Sequence, residues 1–437
     1  MSPPPSPGWP APRRPARSHP VNTQPPQPPL DFEYRTQSQR VLFGTGRAAE
    51  LLARVLAEPG GLPGSASTSG STNASGRTST PGSTSTPGSD APRVMVIASR
   101  RELERSTGVL GGIRPAAIFD DVVQHVPVES AERARQAARD ARIDVLVPIG
   151  GGSAIGLAKA VARAEGLPIV AVPTTYSGSE ATAVWGQVEH GVKTTGFDPR
   201  VLPGTVIYDA ELSRALPRDL SVSSGLNALA HGIDALWAPG KNPVSSTIAA
   251  EAIRMLAHAL PLIADDPGDL AAREEALYGA YLSASAFSSA GSGLHHKICH
   301  VLGGTFGLPH SETHAIVLPH VVAFNVPAAP EAEALLARAL GAAAAAADLT
   351  EVPGPAGTPA EPPTAVESLV ALSDRLHAPT ALRDFGFREE DITRAVALIV
   401  PAAPPSNPRP VTPEALTRLL HDAWSGDAPV SPGALPR

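Results

Sequence analysis

Residues 144–165 read DVLVPIGGGSAIGLAKAVARAE. The first six residues form a short apolar run of the kind that makes a buried strand, and Ser153 to Glu165 repeats its apolar positions at helical spacing. Gly150, Gly151, Gly152 and Ser153 lie between the two. Glycines at a strand end let a ligand approach the backbone, and the start of the next helix offers unpaired N–H groups, so this turn suits a pyrophosphate. It is not the G-x-G-x-x-G fingerprint, and by itself a plain tight turn explains it equally well.

The same alternation recurs on either side. Arg40 to Gly44 reads as a strand, Arg47 to Glu58 as a helix, Arg93 to Ala98 as a strand, Ser130 to Arg142 as a helix and Pro168 to Val172 as a strand. Strands alternating with helices predict a parallel sheet covered on both faces. After about Pro217 the strand signals stop, and Ser221 to Gly426 is rich in Ala and Leu at helical period. The expected fold is an α/β dinucleotide-binding domain over residues 31–216 followed by an all-α domain over 217–426.

The chain of 437 residues holds 48 Pro and 39 Gly beside only 4 Trp, 5 Tyr and 9 Phe. Much of that surplus falls in residues 1–30, in a Gly/Ser/Thr-rich insertion at 59–91 and in residues 352–363. These stretches, with a flexible end at 427–437, are expected to lie outside any packed core. A net charge of -7 gives no electrostatic support for a nucleic-acid or anionic-membrane partner. The single cysteine, Cys299, excludes an internal disulfide. No stretch reads as a membrane span and the N-terminus lacks the apolar core of a signal peptide, so the expected location is the cytoplasm.

Two further loops fall at strand ends, Pro173-Thr-Thr-Tyr-Ser-Gly-Ser-Glu180 and Gly44-Thr45-Gly46. Ligands of parallel sheets bind outside the carboxyl ends of the strands, so three polar, glycine-bearing loops there point to a dinucleotide. At the end of the strand around Val94 to Ala98, where a carboxylate would meet the ribose 2′-OH of NAD, stand Ser99, Arg100 and Arg101. NADH is the expected coenzyme, with NADPH tolerated.

Ser224 to Trp237 carries an apolar stripe at Leu226, Leu229, Ile233, Leu236 and Trp237, beside a polar stripe of Asn227, His231 and Asp234. The polar stripe alone is equally well a solvated face. Downstream, GLHHKICHVLGG places His296 and His300 four apart on one helical face, and His310 follows a glycine-containing break. So many imidazoles around one apolar helix favour a shared site over separately satisfied core histidines. His231, His296 and His310 could offer three nitrogens to a metal, but a divalent ion usually wants a carboxylate or thiolate too, and Asn227 is a neutral amide. Cys299 falls on the His295 face, away from His296 and His300, and reads as a small buried thiol.

Seven ordered segments now carry a resemblance: IGGGSAIGLAKAVA, PTTYSGSEATAVWG, KTTGFDPRVLPGTVIYD, SGLNALAHGIDALW, GLHHKICHVLGG, LPHSETHAIVLPHVVAFN and NPRPVTPEAL. Through them the chain resembles the maleylacetate reductases, a branch of the iron-containing alcohol dehydrogenase superfamily, over nearly all of residues 41–426. The resemblance implies an active site in the cleft between an α/β and a helical domain, and homodimers in many members. Metal-dependent relatives use an Asp and three His; by motif these positions are Asn227, His231, His296 and His310, and the Asp-to-Asn change, typical of this branch, removes the expectation of bound iron or zinc. His300 matches the histidine beside the nicotinamide. The implied coenzyme contacts are Gly150, Gly151, Gly152, Ser153, Thr174, Thr175, Ser177 and Lys193.

The implied reaction is NAD(P)H-dependent reduction of the C=C bond of maleylacetate to 3-oxoadipate in aromatic-compound degradation. The alternative is a metal-dependent alcohol dehydrogenase acting on a small aldehyde or ketone. Hydride addition to the alkene would place charge on the ketone oxygen, which protonated imidazoles and the Asn227 amide are expected to stabilise. The substrate is a small dicarboxylate, and Lys241, Arg254 and Lys297 are candidates to meet its carboxylates.

Overall fold

Four apolar strand segments build the centre of the molecule. In the computed structural model, which describes residues 31–36, 38–58, 91–189, 192–347 and 363–429, the strands are β1 (Arg40–Phe43), β2 (Val94–Ile97), β3 (Ala117–Phe119), β4 (Val145–Gly150), β5 (Val170–Pro173), β6 (Val184–Glu189), β7 (Val192–Phe197) and β8 (Thr205–Tyr208). Six of them form one parallel sheet in the order β1-β8-β5-β4-β2-β3. Every residue of β2, β4, β5 and β8 is buried, as apolar strands covered on both faces should be. Residues 1–30, 59–90, 352–362 and 430–437 and the Lys193 side chain, on which several of the sequence expectations fall, lie outside the described residues.

Alternation along the strands sorts side chains between two cores. Val94, Val96, Val145, Val147, Ile149, Val170, Val172 and Ile207 pack with Leu51, Leu52 and Val55 of α1 (Ala48–Ala57). Met95, Ile97, Leu146, Ala171 and Val206 point the other way, into a larger core. That core takes in α3 (Val128–Asp140) and α4 (Gly152–Glu165) and continues into the helices downstream, so the described residues from Tyr34 onward form one compact unit. Short α2 (Arg100–Arg105) follows β2, capped by the Ser99 side chain.

Beyond β8 the chain is helical throughout its described residues: α5 (Ala210–Ser213), α6 (Arg218–Ala235), α7 (Pro243–Asp265), α8 (Leu270–Ala290), α9 (Leu294–Phe306), α10 (His310–Asn325), α11 (Pro330–Ala347), α12 (Ala365–Arg375), α13 (Ile392–Ile399) and α14 (Pro413–Ser425). The fold class matches the sequence reading. Three elements had no clear sequence signal: the three-residue edge strand β3, strand β8, and the separate antiparallel pair β6–β7. One expectation is corrected. Helix α7, with 23 residues and mean hydropathy 1.3, is long and apolar enough to cross a bilayer. It packs against α6, α8 and α11, with 56% of its most apolar window buried inside the protein, so its apolarity serves the core.

Candidate active site

Two neighbouring strand ends build a cradle that is the candidate coenzyme site. Gly150 closes β4 at φ +146°, a backbone conformation that favours glycine, and Gly152 opens α4 without a side-chain cap. Next door, Thr174 follows β5 and donates its N–H to the Gly150 carbonyl at 3.2 Å. The two loops touch: a Cβ on Gly151 would lie 2.8 Å from Thr175, and one on Gly152 would lie 3.5 Å from Ser177. Ser177 Oγ is buried with no partner in the protein. The helix start, the close approach and the orphaned hydroxyl together fit a pyrophosphate and its riboses.

The third loop plays a different part. Gly46 and Ala48 donate their N–H groups to the two Asp209 oxygens at 2.7 and 2.9 Å. The start of α1 is thus already occupied by a carboxylate, and it stands on the edge strand, away from β4. A second correction concerns the β2 end, where the sequence showed no acid. Glu102, one turn into α2, leans toward the cradle, with its Cγ 3.8 Å from where a Gly150 Cβ would lie. Burial raises its pKa, against the Thr174 hydroxyl that faces it. Arg100, meanwhile, is held by Asp120 at 2.8 Å.

The Thr174–Gly178 loop leads straight to the histidines. It is pinned from below: the Tyr176 N–H donates to Ser224 Oγ at 3.2 Å, and the fully buried Arg273 donates to Tyr176 Oη at 3.1 Å. Gly178 takes φ +71°, and a Cβ there would stand 2.8 Å from Ala284 and 3.4 Å from His231 Nδ1. Glycine is therefore required where the loop crosses α6 and α8. The His231 ring stacks on His296 with centroids 4.8 Å apart, and Phe287 of α8 lies within 5.0 Å of the first and 4.4 Å of the second.

Helix α6 supplies the anchor. Asp234 is fully buried; its Oδ2 accepts from His296 Nδ1 at 2.8 Å and from the Gly293 N–H at 2.8 Å, and its Oδ1 from Trp237 Nε1 at 3.0 Å. Gly293 is needed here because a Cβ would fall 2.3 Å from this carboxylate. With its Nδ1 proton given to Asp234, His296 turns Nε2 outward, where it has no partner in the protein. Asn227 Oδ1 and His231 Nδ1 are likewise buried and unpartnered. His300 lies beside His296, centroids 6.0 Å apart, and the His310 ring is 4.4 Å from His314.

Burial decides the charge of this cluster. It pushes the His231 pKa down to about 4 and His295 to about 3, and holds His296 and His314 well below the ordinary imidazole range, each further lowered by neighbouring histidines except His231, for which desolvation dominates. At neutral pH these rings are uncharged, which corrects the expectation of protonated imidazoles in the free enzyme. Cys299 stays a thiol, its pKa raised well up by burial, 3.7 Å from His295 Nε2.

The four positions that hold a metal in metal-dependent relatives are one amide and three imidazoles here. Asn227 contributes no charge, and among the described residues the nitrogens of His231, His296 and His310 do not gather within 4.8 Å of one another. Two groups do: the exposed His421 and Asp427 with the half-buried Asp422, and the buried His295, Cys299 and His314, in which His295 Nε2 and His314 Nδ1 meet directly at 2.9 Å.

Gly150, Gly151, Gly152 and Ser153 thus lie on one loop beside Thr174, Thr175 and Ser177 on the next; His231, His296 and His300 are neighbours, Asn227 lies one turn before His231 on α6, and His310 is linked to His296 through His314. Of the carboxylate-binding candidates, Arg254 is taken by Glu251 at 2.6 Å and Lys241 stands exposed before α7, leaving Lys297 next to His296. Sequence reasoning missed Glu102, Phe287, His314 and the role of Asp234. His314 had a signal, its spacing of four from His310, which repeats that of His296 and His300.

Comparison with known proteins gives the family. Residues 85–210 match the family model of iron-containing alcohol dehydrogenase, and residues 221–424 that of the C-terminal part of the Fe-containing alcohol dehydrogenase family. The chain therefore belongs to the iron-containing alcohol dehydrogenase family, and it is an NAD(P)H-dependent oxidoreductase. It is 44% identical over 320 residues to the maleylacetate reductase of Sphingobium indicum, covering 73% of this chain and 85% of that protein. It also resembles the crystal structures of an iron-containing alcohol dehydrogenase from Corynebacterium glutamicum (TM-score 0.78, 46% identity, 91% and 98% covered) and of maleylacetate reductase from Agrobacterium tumefaciens (TM-score 0.75, 35% identity, 92% and 100% covered). Within its family the chain groups with the maleylacetate reductases.

Proposed function

We propose that this protein reduces the C=C bond of maleylacetate to give 3-oxoadipate, using NADH, in the degradation of aromatic compounds. The observation that carries the reading is the meeting of the coenzyme loop, at Gly178, with His231 and the Asp234-backed His296. The relatives named above supply the substrate's identity.

NADH, held between the Gly150–Ser153 turn and the Thr174–Ser177 loop, would supply the hydride; its addition to the alkene carbon remote from the ketone leaves the substrate as an enolate. His231 Nδ1, buried and unpartnered on a neutral ring, can donate to the enolate oxygen, while the Asn227 Oδ1 beside it is a buried acceptor. His296 is placed to protonate the neighbouring carbon from Nε2, with Asp234 fixing its tautomer and stabilising its charged form. Burial holds these rings neutral, so the proton is taken up as the substrate binds, whose two negative charges raise the imidazole pKa. Lys297 stands closest in sequence to this exchange and is the candidate for one carboxylate.

The direct test follows NADH absorbance with freshly generated maleylacetate, with and without a chelator. Equal rates are expected. Loss on chelation, restored by a divalent ion, would transfer support to a metal-dependent dehydrogenase.

Glu102 supports NADH over NADPH. It stands at the end of β2, the strand beside the one that carries the glycine loop, where an acid receives a ribose 2′-OH and repels a 2′-phosphate. Glu102→Gln is expected to raise the NADPH-to-NADH ratio of kcat/KM by about tenfold, the size of one charged contact. An unchanged ratio would mean that Glu102 does not face the ribose.

A further inference from the structure

Lys159 is carried by α4, about two turns beyond the glycine cradle, and its side chain is fully buried. Its Nζ donates to the carbonyls of Ser179 at 2.6 Å, Thr182 at 2.8 Å and Val184 at 2.8 Å, and lies 3.3 Å from Thr182 Oγ1. An ammonium has three hydrogens, and three carbonyls receive them. Buried lysines are rare without a paired carboxylate, and the nearby Glu180 carboxyl is instead engaged by Tyr208 Oη at 2.8 Å. A well-packed apolar side chain would fill such a site at less desolvation cost, so stability alone does not account for the lysine.

The stretch it holds is the direct continuation of the Thr174–Gly178 loop. It runs on into β6, whose partner β7 carries Lys193 in register with Val188. One ammonium therefore ties the continuation of the Thr174–Gly178 loop to the helix whose start forms the cradle.

We propose that Lys159 is a positioning residue for the coenzyme: its buried ammonium locks the Ser179–Val184 segment onto α4, and so sets the distance between the glycine cradle and the loop that reaches His231. The proposal rests on the coenzyme site described above and not on the identity of the organic substrate. Burial lowers the Lys159 pKa to about 7, opposed by Glu180, which is the charge it feels. Of the other charged groups on the elements around it, Arg135 donates to the Ala160 carbonyl, Arg163 lies over the Trp185 ring, Arg200 is paired with Asp198, and the Tyr208 pKa is raised well up. Below about pH 7 the lysine keeps three donors for three carbonyls; as pH rises through that value it loses one, and the loop loosens.

The test is NADH binding followed by fluorescence from about pH 6 to about pH 9, which needs no organic substrate. The wild-type dissociation constant is expected to rise several-fold above about pH 7. Lys159→Met, shown to be folded by its thermal melt, should bind NADH about tenfold more weakly at pH 6 and show no further weakening with pH. Lys159→Arg, which keeps its charge, should restore affinity without the pH dependence. Wild-type affinity and pH dependence in a folded Lys159→Met protein would overturn the proposal. If the methionine variant does not fold, the wild-type titration decides, since a flat profile overturns it equally. Failure to turn over maleylacetate, with NADH binding as expected, would count against the proposed substrate and leave this inference standing.

Discussion

His296→Ala should lower kcat/KM for maleylacetate by about a thousandfold while NADH affinity changes little, because the ring supplies the proton and part of the anion site rather than the coenzyme cradle. The geometry makes a second member of the series informative. Asp234→Asn keeps the shape of the buried side chain but turns one of its ends from acceptor to donor, so it can no longer accept from His296, Gly293 and Trp237 together. The His296 ring then loses its fixed tautomer, and a drop of about a hundredfold is expected, as for other residues that orient a reacting imidazole. Steady-state rates at saturating NADH, with circular dichroism to confirm folding, measure both. If His296→Ala kept a rate within a few-fold of the wild type, the proton would have to come from elsewhere and the proposed role of the cluster would fall.

The second large effect concerns acid. His231, with a folded-state pKa of about 4, His295 at about 3 and His320 at about 4 are all depressed by burial, His295 also by the neighbouring histidines. In the unfolded chain each would titrate near 6.5. Above that value neither state binds the proton, and full stability is present. As pH falls from about 6.5 toward 4 the unfolded chain takes up protons that the folded one refuses, so stability is lost across that window, by about 3 kcal/mol for His231 alone. Because several buried rings act together, the melting temperature should fall steeply between about pH 6.5 and pH 4. A melting temperature that stayed level over that range would show that these rings can be protonated in place. Substrate should oppose the loss only where it can still bind, which a melt in the presence of maleylacetate would reveal.

Much of the arrangement was legible beforehand because it rests on local chemistry. The run VLVPI followed by GGGS reads as strand, turn and helix from spacing alone, and the observed β4 and α4 begin and end within a residue or two of that reading. His296 and His300 share a face because helical spacing demands it. Other features had no such signature. The β6–β7 pair depends on Gly196 leaving room for Trp185, whose ring a Cβ would meet at 2.7 Å, and on Arg163 covering that ring from α4. Glu102 has no local signal, and only the placement of β2 beside β4 brings it to the cradle.

Asp234 marks the boundary most clearly. Its position in a polar helical stripe followed from the spacing of Asn227, His231 and Asp234, which are fixed on one helix by residues a few positions apart. Its partners Gly293 and His296 lie some sixty positions away, and nothing local links them. The order of strands and helices, the turns suited to phosphate and the choice of residue types follow from short-range sterics and apolar periodicity, which act along the chain. Which loop is free for a coenzyme, with Asp209 already capping α1, which arginine is spoken for by Asp120, and that the histidines are neutral, follow from burial and long-range pairing, which exist only once the chain has closed on itself.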